Sequence, residues 1–137
     1  MNKKDFIFST DIKVRDYELD AEGIVNNANY LHYLELTRHE FCEANGFSFD
    51  DMRRAGIIPV LRKAAISYLS PLRSGDVMTS SLNMRRKGPR FIFDQYIAKT
   101  DGTPILEAEI TVVSVVDGKP SRGDQLADAF SKFLADE

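Results

Sequence analysis

Residues 20–30 of the chain, Asp20-Ala-Glu-Gly-Ile-Val-Asn-Asn-Ala-Asn-Tyr30, join a carboxylate, a glycine and three asparagines in one short run. A carboxylate acts as a nucleophile or as a general base for water, and a helix start supplies backbone N–H groups for a developing oxyanion. Asp20 stands three residues before Gly23, where the backbone can bend, and Asn26, Asn27 and Asn29 are good caps for a helix that follows. A carbonyl held at that helix start meets unpaired N–H groups and the positive end of the helix dipole while Asp20 works on the same group. The combination suits acyl transfer without a Ser/His/Asp triad. Position alone also fits plainer roles: aspartate is common in turns, and both asparagines serve equally as caps.

Two further clusters carry possible chemistry. Arg85, Arg86, Lys87 and Arg90 form the one dense basic run, and arginine offers forked donors that match phosphate oxygens. Such a run also blunts a strand edge against aggregation. Arg62, Lys63 and Arg73 are weaker candidates. His32, Glu35, His39 and Glu43 share one helix side by their spacing, which would suit a metal-assisted hydrolase. The sequence adds no further ligand cluster, so no metal is assigned and the stripe reads as a solvent or subunit face. Cys42 beside Phe41 reads as core. Tyr33 and Tyr68 read the same way, whereas Tyr30 is close enough to the helix start to line a pocket.

These residues need elements to hold them. Residues 6–15 alternate as a strand, with Phe6, Phe8, Ile12 and Val14 at period two. Over residues 28–45 the period becomes helical: Tyr30, Tyr33, Leu34, Thr37, Phe41 and Ala44 share a face, and Gly46 is the stop. Leu31, Leu36 and Cys42 widen that surface, which predicts a helix buried on most sides. Residues 49–55 predict a short helical turn. Strands are predicted over 60–69, 77–86, 91–99 and 105–116, separated by turn-forming residues, as an antiparallel meander. Leu126, Ala129, Phe130 and Phe133 have helical spacing and would cover the sheet or its edge. A strand, one long helix and then four strands is an α+β pattern, with the antiparallel sheet wrapped around the helix.

A chain of 137 residues with 43% hydrophobic content fits a single domain over residues 1–137. A net charge of −3 and a pI near 5.4 argue against a nucleic-acid partner. The lone cysteine excludes an intrachain disulfide and a cysteine-based zinc site. The amino-terminal run has too few apolar residues for a signal peptide, and no stretch approaches the ~20 apolar residues of a membrane span. The expected location is cytoplasmic.

Several motifs in order carry a resemblance. They are Ile12-Lys-Val-Arg15, then Asp20-x-x-Gly23-Ile24-Val25 with its polar pair and Tyr30, then residues 60–76 from Val60 through Tyr68 and Pro71 to Gly75-Asp76. Arg85-Arg86-Lys87 and residues 105–113 follow. From about Lys13 to Val116 the chain resembles hotdog-fold acyl-CoA thioesterases of the 4-hydroxybenzoyl-CoA thioesterase type. That resemblance implies a single-domain hotdog fold that hydrolyses an acyl thioester to a carboxylic acid and coenzyme A, without metal or redox cofactor. It implies Asp20 as nucleophile or general base, with Gly23, Ile24, Asn26, Asn27 and Tyr30 around the oxyanion and substrate. Arg85, Arg86, Lys87 and Arg90 would then sit near the coenzyme A phosphates. Glu35 is the reserve carboxylate, because some hotdog enzymes take theirs from this helix. Subunits are implied to pair through sheet edges as homodimers, often again as homotetramers. The Val-Asn-Asn run is also similar to acyl-carrier-protein thioesterases of the same fold, but Glu22 and Ile24 replace the Asn and His that those carry, so coenzyme A or carrier protein stays open. A module that binds acyl thioesters without cleaving them is the rival outside catalysis. Small Asn26 and Ala28 favour an aliphatic acyl group.

Overall fold

In the computed structural model of the chain, residues 6–134 are described. Residues 1–5, part of the stretch read for a leader, and residues 135–137 lie outside them. Helix α1 (Asn27–Ala44) forms where apolar side chains recur every three or four residues, burying Tyr30, Tyr33, Leu34, Thr37, Phe41 and Cys42. Its start is capped by Asn26, whose Oδ1 accepts from the Ala28 N–H at 3.0 Å. Its end is set by Gly46 at φ 77°, after which the Phe47 N–H donates back to the Cys42 carbonyl at 2.8 Å.

Among the described residues six strands make one antiparallel sheet: β1 (Phe8–Lys13), β2 (Ile57–Tyr68), β3 (Val77–Lys87), β4 (Arg90–Lys99), β5 (Pro104–Val116) and β6 (Lys119–Pro120). The order is β1-β3-β4-β5-β2, with β6 paired to β5. The sheet curls around α1, which packs mainly on β1 and β3. Helix α2 (Phe49–Arg54) leads into β2, and α3 (Asp124–Ala129) with a following 3-10 turn closes the side where Leu126 and Phe130 join the core. No helix among the described residues is long and apolar enough to cross a membrane.

Three expectations are corrected. First, only β3, β4 and β5 form a meander; β2 does not pair with β3 but lies along β5 at the opposite edge, from Ile57↔Val116 to Tyr68↔Leu106. The segment between them cannot turn back as a hairpin because the loop before α1 holds it. The Val25 N–H donates to the Leu72 carbonyl at 2.9 Å, and Ile24 bridges to Arg73. Second, α1 is buried on one face only: Ala44, Leu31 and Leu36 are exposed within the chain. Third, α3 lasts six residues and Ala127 rather than Ala129 is buried.

Candidate active site

The Asp20 loop is closed at its base by an antiparallel bridge between Leu19 and Val25. Within it the Asp20 N–H donates to the Ile24 carbonyl at 2.8 Å and the Gly23 N–H to the Asp20 carbonyl at 3.1 Å. Gly23 is required for its φ of 80°, not for space, since a Cβ there would meet no atom within 4 Å. The half-buried Asp20 carboxylate is held by one oxygen. Oδ1 accepts from the Glu22 N–H at 2.8 Å and more weakly from the Ile24 N–H at 3.4 Å. No described residue donates to Oδ2.

Three residues after Ile24 the helix begins. Asn26 occupies the Ala28 N–H, while the Asn27 N–H has no acceptor among the described residues. Beneath it, Tyr30 Oη accepts from the Leu72 N–H at 3.1 Å, which ties α1 to the segment after β2 and leaves the phenolic hydrogen free to donate. Burial, joined by the charges of Tyr68 and Asp20, raises the Tyr30 pKa, so the hydroxyl keeps its proton at neutral pH. The Tyr30 ring meets the Tyr68 ring edge-on at 5.4 Å. Ile24, Asn27, Tyr30, Tyr68 and Pro71 line an open cleft of about 330 Å³ beside this helix start.

Sequence reading missed what positions the loop. Glu18 is buried in a 3-10 turn; its carboxylate accepts from the Arg15 N–H at 2.8 Å, and its carbonyl accepts from the Asn26 N–H at 3.0 Å and from Asn29 Nδ2 at 2.8 Å. A glutamate three residues after its cap was the visible signal. Asn29 is therefore a clamp between loop and helix, and its Oδ1 meets His32 Nδ1 at 3.3 Å. Tyr33 Oη is buried and lies outside hydrogen-bond geometry with any described residue, and burial, with the nearby Glu18 carboxylate adding to it, raises its pKa and keeps it protonated.

The basic run is divided. Arg85 pairs with Asp94 at 2.8 Å and with Glu109 at 3.2 Å. Arg86 donates to the Arg122 carbonyl and to Asp124, both at 2.8 Å, fastening β3 to the start of α3. Lys87 and Arg90 stay exposed at the β3–β4 turn, with no ion pair among the described residues. Glu35 lies outside the Asp20 cleft, eight residues or about 12 Å further along α1, in the wall of a separate cavity with His39. His39 stacks on Phe49 at 4.4 Å, and no group of three or more possible ligands among the described residues could hold a metal ion. Cys42 is core, its thiol pushed up to about 12 by burial.

A curled antiparallel sheet around one long helix, with a carboxylate loop at the helix start, defines the hotdog thioesterase class of fold. The probable thioesterase YbaW of Escherichia coli, a solved structure, superposes at TM-score 0.81 with 30% identity, covering 93% of this chain and 98% of that one. A model of the thioesterase-like superfamily matches residues 14–134, and the chain belongs to that family. It is 42% identical over 101 residues to the chloroplastic acyl-acyl carrier protein thioesterase ATL3 of Arabidopsis thaliana, covering 72% of this chain and 53% of that protein. It is 35% identical over 108 residues to the long-chain acyl-CoA thioesterase FadM of Escherichia coli, covering 77% and 81%. The chain spans about half the length of the chloroplastic relatives it matches.

Proposed function

We propose that the protein hydrolyses an acyl thioester at Asp20, releasing a carboxylic acid and a thiol. One observation carries this reading: on the short Asp20–Asn27 loop the Asp20 Oδ2 and the Asn27 N–H have no partner among the described residues, while Asp20 Oδ1 and the N–H groups of Asp20, Glu22, Gly23, Val25, Asn26 and Ala28 are bonded. In the water route Oδ2 takes a proton from water, the oxygen adds to the thioester carbonyl, and the developing oxyanion is received at the Asn27 N–H. The C–S bond then breaks, and the thiolate leaves with the proton. In the nucleophilic route Oδ2 adds to the carbonyl itself, the C–S bond breaks to expel the thiolate, and water then cleaves the resulting anhydride to the carboxylic acid and the free Asp20 carboxylate, the released proton going to the thiolate. Gly23 and Ile24 shape the loop, Asn26 fixes the helix start and Tyr30 braces the cleft. Glu35 is the reserve carboxylate.

Coenzyme A and acyl carrier protein are both consistent carriers, since the relatives' names include each. For coenzyme A the phosphates would meet Lys87 and Arg90, because Arg85 and Arg86 are already engaged. The active unit is a homodimer joined along β2, with tetramers formed from dimers. That edge exposes Ile58, Val60 and Leu61 to 41–49%, apolar area that an unpaired strand does not leave open. The acyl group is aliphatic, and the protein acts in the cytoplasm.

The test is thiol release from short, medium, long and aromatic acyl-CoA esters and from acyl carrier protein, with chelator present. Hydrolysis lost in Asp20→Ala and retained in Glu35→Gln supports the assignment. Retention in Asp20→Ala with loss in Glu35→Gln moves the chemistry to the helix, and binding of every thioester without release identifies a binding module.

A further inference from the structure

A second cavity lies under the far half of α1, about 16 Å along the helix from the Asn27 N–H. Its volume is about 160 Å³, close to the ~150 Å³ at which an apolar protein cavity takes up benzene. Its walls come from α2, β2, β4 and α3, with Met52, Leu61, Phe93, Leu126 and Phe130 among them. One cation stands in this apolar wall. Arg38 is half-buried, donates Nη1–H to Gln95 Oε1 at 2.8 Å and lies 6.0 Å over the Phe93 ring. Gln95 is wholly buried, and its Nε2 donates to the Leu34 carbonyl at 3.1 Å, so it fixes the guanidinium without neutralising it.

A guanidinium has five N–H donors, and among the described residues Gln95 is the one acceptor bonded to Arg38. Glu35 shares the cavity wall but forms no ion pair with Arg38 within 4 Å. Burial lowers the Arg38 pKa, and arginine still holds its proton at neutral pH. Arg38 Nε and Nη2 are not among the buried unpartnered atoms, so solvent reaches them, and beside this apolar wall an anion that displaces that solvent makes a stronger partner than water does.

We propose that this cavity is a binding site for a small apolar carboxylic acid, with the carboxylate on the Arg38 fork and the hydrocarbon among Met52, Phe93 and Phe130. A planar carboxylate matches two parallel N–H donors. A phosphate dianion fits less well, because Glu35 stands in the same wall and the space beyond Arg38 is hydrocarbon. The site does not rest on the Asp20 chemistry: a free acid binds whether or not thioesters are cleaved.

The test is titration of the 137-residue chain with hexanoate, benzoate and hexanamide, followed by calorimetry and by the ¹³C-methyl NMR signals of Met52 and Met84, both in the cavity wall. Hexanoate and benzoate bind and shift those two methyls, and hexanamide binds about ten- to hundred-fold more weakly, as expected for loss of a charge-assisted hydrogen bond. Arg38→Leu weakens hexanoate by a similar factor. Arg38→Lys, which keeps the charge and loses the fork, falls between, and Asp20→Ala binds as the wild type. Equal binding of hexanoate and hexanamide overturns the proposal, as does undiminished affinity in both Arg38 variants, or shifts that leave Met52 and Met84 unmoved.

Discussion

Tyr30→Phe removes one oxygen from the chain and tests whether the tie between α1 and the segment after β2 holds the cleft together. The Leu72 N–H donates to Tyr30 Oη at 3.1 Å, and Leu72 and Tyr30 are 0% and 3% exposed, so no water replaces the lost acceptor. A buried donor left without a partner costs about 1–3 kcal/mol. The ring contacts to Tyr33 and Tyr68 survive in phenylalanine, so no apolar burial is lost with the oxygen. For a 137-residue chain the unfolding entropy is about 0.3 kcal/mol per degree, which turns that cost into a fall in Tm of about 3–10 °C. Differential scanning calorimetry at pH 7 reads it directly. Tyr68→Phe is the control: Tyr68 is 50% exposed and its hydroxyl has no described partner, so its Tm shifts by less than about 2 °C. If Tyr30→Phe melts as the control does, the Leu72 N–H does not depend on Tyr30 and this reasoning about the cleft fails.

Three other outcomes follow from particular contacts. Thr37 Oγ1 lies 2.7 Å from both the Tyr33 carbonyl and Ser80 Oγ, so Thr37→Val costs about 1–3 kcal/mol in urea unfolding, part of which the double variant with Ser80→Ala recovers. Burial raises the Cys42 thiol from 9.0 to about 12, so the unfolded chain ionises first; this contribution is complete below pH 9 and is lost towards pH 12. Stability then falls by up to about 1.4 kcal/mol per pH unit, and Cys42→Ala flattens the slope measured between pH 9 and 11. If coenzyme A phosphates meet the β3–β4 turn, Lys87→Ala and Arg90→Ala raise KM for acyl-CoA several-fold with little change in kcat, and Arg85→Ala, already paired with Asp94 and Glu109, raises it less.

Local periodicity made much of the fold legible. The buried stripe from Tyr30 to Phe41 and the strand positions could be read because burial on one face leaves a repeat in the sequence. The place of β2 could not: alternation reveals a strand but not its neighbour, and that choice depends on Leu72 being held by Val25 and Tyr30. In the site, Asp20, Gly23 and Asn26 were legible because turn and cap chemistry is local. Glu18 was not singled out, and Asn29 was read only as a cap rather than as a clamp, since their work runs partly through a backbone carbonyl that carries no side-chain signature. The basic run was read as one patch, whereas Asp94, Glu109 and Asp124, distant in sequence, divide it. The Arg38 cavity was invisible because its walls come from several separate elements.

Asp20→Asn tests the central claim most directly. Asparagine keeps an oxygen to accept from the Glu22 N–H, so the loop stays folded and Tm moves by less than about 2 °C. What is lost is the carboxylate charge on the oxygen that has no partner. Thioester hydrolysis by Asp20→Asn, measured beside a melting curve on the same sample, should fall by at least about 100-fold with Tm unchanged. Hydrolysis at the wild-type rate from a variant that melts as the wild type does would contradict the account.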